Sequence, residues 1–312
     1  MQFSLTLLGT NGAIPAYGRF PTAQVLHVHN QSYLVDCGEG TQMRFQDFHI
    51  KPGRLHKIFI SHLHGDHCFG LIGLITTLNL TGRTQDLHIY SPPGLRAMIE
   101  AQLSPSGTVL QFPLQFHEVD PQVHQQIASD QQVDVFSIPL NHRIPCCGYL
   151  FREKERERNI YSEKIAEYQL SVPQIKAAKQ GGSITLDDGR ILSAQELTAA
   201  PPSPRSYAFC SDTQYKPDIV PLIQGVDLLY HESTFCREYA ERARETMHCT
   251  AHEAALIARE AQVGKLILGH YSSRYPEVTP FEEEARTIFS ESYAGTDGQE
   301  FVVPFEGRNT PE

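Results

Sequence analysis

The chain has 312 residues, 40% of them hydrophobic and 20% charged, which suits one large α/β domain or two small ones of an ordinary soluble globular protein. A net charge of −10, from 26 basic and 36 acidic side chains, excludes a protein that coats nucleic acid nonspecifically but leaves room for a local basic patch. No apolar run is long enough to cross a bilayer, and seven irregularly spaced cysteines without a Cys-x-x-Cys pair exclude a disulfide framework or a thiolate zinc finger.

The opening residues, Met1-Gln2-Phe3-Ser4-Leu5-Thr6-Leu7, alternate and lack a basic n-region, so they predict a strand rather than a signal peptide. With the cysteine usage, this leads us to expect a reducing, cytoplasmic setting. Residues 1–36 read as β-rich, with a short helix over 41–48. A compact strand follows at Lys57-Ile58-Phe59-Ile60-Ser61, then a helix from about 68 to 78. Further strands are expected at 87–90 and 133–140, and an alanine-rich amphipathic helix over 251–262 precedes the strand Lys265-Leu266-Ile267-Leu268-Gly269. Between Tyr149 and Tyr207 the composition changes. Arg152-Glu153-Lys154-Glu155-Arg156-Glu157-Arg158 opens a charged stretch that passes through Gly181-Gly182 and closes in Pro201-Pro202-Ser203-Pro204. We expect an inserted arm over 152–205 that adds little to the main core; on charge pattern alone, a solvated surface excursion is the simpler reading.

Several apolar strands run directly into a potential ligand. Ile58-Phe59-Ile60-Ser61 leads to His62, Ile138-Pro139-Leu140-Asn141 to His142, and Tyr207-Ala208-Phe209-Cys210-Ser211 to Asp212. Leu228-Leu229-Tyr230 leads to His231-Glu232, and Leu266-Ile267-Leu268-Gly269 to His270. Strand ends in layered α/β proteins are where functional groups gather. The densest signal is His62-Leu63-His64-Gly65-Asp66-His67. Two residues apart on extended backbone, His62 and His64 point the same way. Gly65 permits a sharp turn, and Asp66 and His67 open the next helix, aimed at a second position. Imidazole and carboxylate without thiolate suit a catalytic zinc better than a structural one. Six residues hold too few ligands for two ions, so His142, Asp212 and His270 are the candidates to complete the set. The partition gives His62, His64 and His142 to one zinc and Asp66, His67 and His270 to the other, with the Asp212 carboxylate bridging.

These residues in this order resemble the metallo-β-lactamase superfamily, and more narrowly bacterial ribonuclease Z, the short form of the tRNA 3′-endonuclease. The resemblance runs nearly end to end. It is carried by Asp36-Cys37-Gly38-Glu39-Gly40-Thr41-Gln42, the zinc motif with Gly70-Leu71, Ser211-Asp212-Thr213, His231-Glu232-Ser233-Thr234, His248-Cys249-Thr250 and His270-Tyr271-Ser272-Ser273-Arg274-Tyr275. It implies an α/β fold of four αββα layers, as a single domain over 1–312, with 152–205 in the place of that family's flexible tRNA-binding exosite arm. It also implies two Zn²⁺ per chain, precursor tRNA as partner, no membrane, and a homodimer. The activity implied is removal of the 3′ trailer, with a 3′-hydroxyl left on the tRNA and a 5′-phosphate on the trailer. Another hydrolase of the same fold, such as a small phosphodiesterase, thioesterase or lactonase, is the alternative, as is an RNA-binding protein without chemistry. Glu232 and His248 are the expected pair for protonating the leaving 3′-oxygen. The family gives Asp66 a proton-acceptor role, although a metal-bound carboxylate is a weak base. Arg274 suits phosphate or ribose contact, and Lys154, Arg156, Arg158, Lys176 and Lys179 suit arm contacts with the tRNA backbone. Two departures stand out: no Gly-Pro-rich tip near 172–176, and Pro15-Ala16-Tyr17-Gly18-Arg19-Phe20 without the family's usual lysine and asparagine.

Overall fold

A computed structural model describes residues 2–305. Two seven-stranded sheets carry the main unit. Across the first, the order is Glu300–Val302, Phe3–Gly9, Ala23–Val28, Gln31–Cys37, Leu55–Phe59, Leu87–Ser91 and Leu114–Glu118. It is antiparallel through the opening meander and parallel from Gln31–Cys37 outward. Across the second, the order is Ser292–Ala294, Lys265–Gly269, Leu228–Glu232, Ser206–Cys210, Cys147–Glu153, Val133–Pro139 and Gln126–Ser129, with its first four strands parallel.

The two-residue period of the strands sorts their side chains into layers. Phe3, Leu5 and Leu7 of the first sheet meet Tyr149, Phe151, Tyr207, Phe209 and Tyr230 of the second in one buried cluster. The alternate residues Leu150, Ala208, Leu229, Leu266 and Leu268 face outward, onto Ala254, Ala255, Ile257 and Ala258 of the helix Ala251–Glu260 and Phe281 of Thr279–Arg286. On the other side, Val25, Leu34, Ile58 and Ile89 pack on Leu71, Leu74, Ile75 and Leu78 of the helix Leu71–Leu80. The result is helices, sheet, sheet, helices, the four layers that the resemblance implies. Strands covered on both faces need continuous apolar runs, which is why they stand out in the sequence. The rings of Phe59 and Phe151 cross between the sheets at 5.2 Å and 85°, each burial contributing about 1.5–3 kcal/mol.

The helix expected from 68 to 78 is two helices, Gly65–Cys68 and Leu71–Leu80. Gly70 explains the break. Its N–H donates to the Cys37 carbonyl at 2.9 Å, and a Cβ there would lie 1.9 Å from the Gly38 carbonyl oxygen. Two backbones meet at this point with no room for a side chain, and the contact sets Asp66 and His67 against the end of Gln31–Cys37.

Glu153–Pro204, with Pro304 and Phe305, forms a second compact unit. It has its own small core of Leu170, Ala178, Ile184, Leu192 and Leu197. Its helices Val172–Lys179 and Ala194–Leu197 begin with reciprocal capping boxes at Ser171 and Ser193. Among the described residues, no helix is long and apolar enough to cross a membrane.

Candidate metal centre

The ligand-type residues sit just past strand ends, at one edge of the two sheets: His62 after Leu55–Phe59, His142 after Val133–Pro139, Asp212 after Ser206–Cys210, and His270 after Lys265–Gly269. They converge as two sets. His62, His64, His142 and Asp212 form one, and Asp66, His67 and His270 the other, while His248 comes close to Asp212 and His270 in a third group that overlaps both. In the first, His62 Nε2 and His64 Nδ1 are 2.9 Å apart, and His142 Nε2 is 3.3 Å from His64 Nδ1. Asp212 reaches both sets. Its Oδ2 is 3.6 Å from His62 Nε2 and from His142 Nε2, while its Oδ1 is 3.3 Å from His67 Nε2 and 3.2 Å from His270 Nε2.

For His62, His67, His142 and His270 the outer nitrogen is the one that donates, which leaves the inner nitrogen a lone pair. His142 Nδ1–H donates to the Met247 carbonyl at 3.0 Å, and His67 Nδ1–H to Asp36 Oδ2 at 2.7 Å. Thr234 has one hydroxyl proton, which it gives to Glu232 Oε2 at 2.8 Å, so it accepts from His270 Nδ1–H at 2.9 Å. Ser61 acts alike: it donates to Asp36 Oδ2 at 2.9 Å and accepts from His62 Nδ1–H at 3.0 Å. Two buried carboxylates, Asp36 and Glu232, thus each steady two imidazoles, one directly and one through a hydroxyl. Acceptors aimed at one another at about 3 Å repel unless a cation lies between them. Asp212 Oδ1 fits the same account, being buried with no hydrogen-bond partner among the described residues. The donor set fits metal ions.

Electrostatics agree. Burial, together with the neighbouring imidazoles, holds His62 well below its ordinary pKa and lowers those of His64 and His142, leaving them neutral as ligands must be. Burial also acts to lower His67, but Asp212, Asp66 and Asp36 outweigh it and drive its pKa well up. A proton there is drawn by the same three carboxylates that would draw a metal ion. Backbone conformation is held against its preference here: Asp36, Met247 and His270 have φ of 56°, 59° and 62°. Gly12 is required where the loop crosses His270, since a Cβ would lie 2.6 Å from the ring.

Glu232 is fully buried. Its Oε1 accepts from Thr213 N–H, Cys249 N–H and His248 Nδ1–H at 3.2, 3.0 and 2.8 Å. Burial works against a charged His248, but the Glu232 and Asp212 carboxylates prevail and push its pKa up to about 9. That hydrogen bond commits His248 Nδ1 to Glu232, with Asp212 Oδ2 next at 4.0 Å. His231, one residue earlier on the strand, donates to the Glu232 carbonyl and joins neither set.

The centre lies in a cleft of about 540 Å³. Arg274 stands at its rim, exposed, and Arg143 and Arg242 line it too. Sequence reasoning named neither of those two arginines, nor Asp36, Ser61 and Thr234 as supports. The one available signal was position, since Arg143 follows His142 and Asp36 ends a strand as the ligands do. Arg19 is turned inward instead, its guanidinium donating to Asn11 Oδ1 and to the Tyr275 and Pro276 carbonyls. Lys154, Arg156, Arg158, Lys176 and Lys179 lie on the second unit. There Arg156 pairs with Glu153, Arg158 donates to Thr198, and Lys179 meets Glu157 at 3.0 Å, while Lys176 is exposed.

Asp36→Asn should weaken metal binding on the order of 10–100-fold, the usual loss when a ligand's support is removed. Competition against a chromogenic chelator measures this, and an unchanged affinity would mean Asp36 serves packing alone.

The profile of the anti-Pycsar protein Apyc1 family matches residues 3–163. Ribonuclease Z of Parabacteroides distasonis is 43% identical over 302 residues, spanning 97% of this chain and 99% of that protein. The solved structure of the short form of human tRNase Z aligns with a TM-score of 0.70 at 27% identity, over 97% of this chain and all of that one. A metallo-β-lactamase-fold protein of Bacillus subtilis, 18% identical, aligns at 0.67 over 97% of this chain and all of that one, a likeness of fold. Kinship over nearly the whole length, on this fold and around this metal centre, means that the chain belongs to the ribonuclease Z family.

Proposed function

We propose that the chain is a zinc-dependent endoribonuclease that cuts the 3′ trailer from precursor tRNA, leaving a 3′-hydroxyl on the tRNA and a 5′-phosphate on the trailer. The observation that carries this reading is the convergence of seven ligand groups, shared through Asp212, in a chain of this family. A count of two is supported by the two groups that Asp212 reaches, and zinc by the dimensions of one of them. Tetrahedral bonds of about 2.0–2.1 Å imply ligand–ligand edges of about 3.3 Å, and the edges at Asp212, His67 and His270 are 3.2–3.3 Å. Two zinc ions bound there supply charge for the phosphate oxygens and the activation of water at neutral pH.

The chain's own groups do the rest. Asp66 is held as an anion by His67 and His270 against the opposing effect of burial, and its Oδ2 also accepts from Ala13 N–H at 2.6 Å. That makes it a ligand rather than a base. His248, charged and in the cleft, is the group able to hand a proton to the leaving 3′-oxygen, and Glu232 holds it in place. Arg274, Arg143 and Arg242 bring guanidinium forks to the phosphates on either side of the scissile one. Cleavage of precursor tRNA at the discriminator boundary, abolished by chelator and restored by zinc, tests the reading; uncut precursor with a zinc-loaded chain overturns it.

The second unit serves in this proposal as the tRNA exosite, working through its basic residues. Much of its positive charge is internally paired, which points to Lys176 as the strongest phosphate contact of the five. Replacing 154–203 by a short linker should weaken precursor binding and flatten its salt dependence, while hydrolysis of bis(p-nitrophenyl) phosphate persists. Equal loss of both would make the unit a support of the fold. A cytoplasmic homodimer completes the proposal, on kinship; sedimentation equilibrium tests the dimer.

A further inference from the structure

Exposed apolar side chains are ordinary when scattered, but here several gather beside the metal centre. Phe69 is 60% exposed and Met43 52%. Both line a groove of about 350 Å³ with Pro15, Phe20 and Ile72. The groove is continuous with the metal cleft, because Phe69 and Glu39 line both. The Phe69 ring is seated where it is by Gly65: a Cβ on Gly65 would come within 2.6 Å of the ring edge, so the ring lies on bare backbone between the ligands His64 and Asp66. It belongs to none of the buried clusters and makes no ring-to-ring contact among the described residues. An aromatic face is thus fixed beside the ligand-type residues His64 and Asp66 and left uncovered.

The walls differ in character. His248 shares its side of the cleft with Phe235, Thr246 and Arg242, from the second half of the chain, whereas the groove is built from residues 15–73. The leaving 3′-oxygen, and the tRNA body attached to it, belong beside His248. The nucleotide across the scissile phosphate is the first of the trailer, and the groove is where its base has an apolar surface to lie on. We propose that Phe69 is a specificity-determining residue that stacks the unpaired base of the first trailer nucleotide, with Pro15, Phe20 and Met43 flanking it. This rests on the ribonuclease reading above. Stacking on an aromatic face is tolerant of base identity, so Phe69 would select for an unpaired nucleotide rather than for a sequence.

The test is a double-mutant cycle with the zinc-loaded full chain. The substrates are precursor tRNAs whose first trailer nucleotide is either intact or abasic. With the intact base, Phe69→Ala should lower kcat/KM roughly 5–100-fold, mainly through KM, and Phe69→Tyr should restore most of it. On the abasic precursor, wild type and Phe69→Ala should converge. Phe69 is exposed, so zinc content and circular dichroism are expected to stay as in the wild type. Independent penalties, or no penalty from Phe69→Ala, overturn the proposal while leaving the ribonuclease reading intact. If Phe69→Ala instead turns an oligomer into a monomer with no dependence on the base, the groove is a contact between two copies and the proposal is wrong. A wild-type chain that hydrolyses bis(p-nitrophenyl) phosphate but leaves every precursor uncut overturns both.

Discussion

If the centre holds two zinc ions as proposed, His64→Ala should purify as a folded chain with about one, and its cleavage of precursor tRNA should fall at least about 10³-fold, the equivalent of several kcal/mol of lost charge stabilisation. The fold survives because His64 is only partly buried and lies in an extended connection between the strand Leu55–Phe59 and the helix Gly65–Cys68. Asp212→Ala should go further. Its two oxygens face different sets, so both ions are lost rather than one. Elemental analysis of protein prepared without chelator, paired with single-turnover cleavage, reads both effects. A metal-free variant with wild-type activity would overturn the account of the centre, and equal zinc loss from both variants would show that Asp212 does not bridge.

His248→Ala separates proton delivery from metal binding. Its Nδ1 is spoken for by Glu232 at 2.8 Å and lies 4.0 Å from Asp212 Oδ2, so its removal should leave both ions in place. The single-turnover rate should nevertheless drop on the order of 10²–10⁴-fold, the range for general acid catalysis. A precursor with a 3′-thio leaving group, whose sulfur needs no proton, should recover most of the loss in a thiophilic metal. Zinc loss from His248→Ala would make it a ligand and refute the assignment. Glu232→Gln tests the partner: the amide would set a donor against N–H groups that now donate to the carboxylate, at a cost of about 1–3 kcal/mol in stability.

How much of this was readable beforehand depends on the range of the interaction. The strands were legible because burial on both faces leaves runs such as Tyr207-Ala208-Phe209-Cys210, and the convergence of His62, His142, Asp212 and His270 was legible because each follows such a run. Glu300–Val302, three residues at the sheet edge, carries no periodic signal, and nothing local says that it pairs with Phe3–Gly9. Asp36 was legible as part of a motif but not as the support of His67, because that hydrogen bond joins residues 31 positions apart. Thr234 is a further case: its role exists only once Glu232 and His270, on neighbouring strands, flank it. In the second unit the charge pattern alone suggested a solvated surface, and only the resemblance suggested tRNA contacts at Arg156, which pairs with Glu153. Alternation of sign along a chain is as much a recipe for internal pairing as for a partner's phosphates.

The centre is divided between distant parts of the chain, and this has a consequence for its birth. His67 and His270 are 203 residues apart, and at about 5–20 residues per second of synthesis their emergence from the ribosome is separated by roughly 10–40 s. His142 and Asp212, the partners of His62 and His64, are made within that interval, but throughout it Asp66 and His67 lack His270. The second set can therefore close only late, after the strand Lys265–Gly269 has docked. A chain stopped short of residue 270 is left with one set incomplete, however well its first sheet has formed.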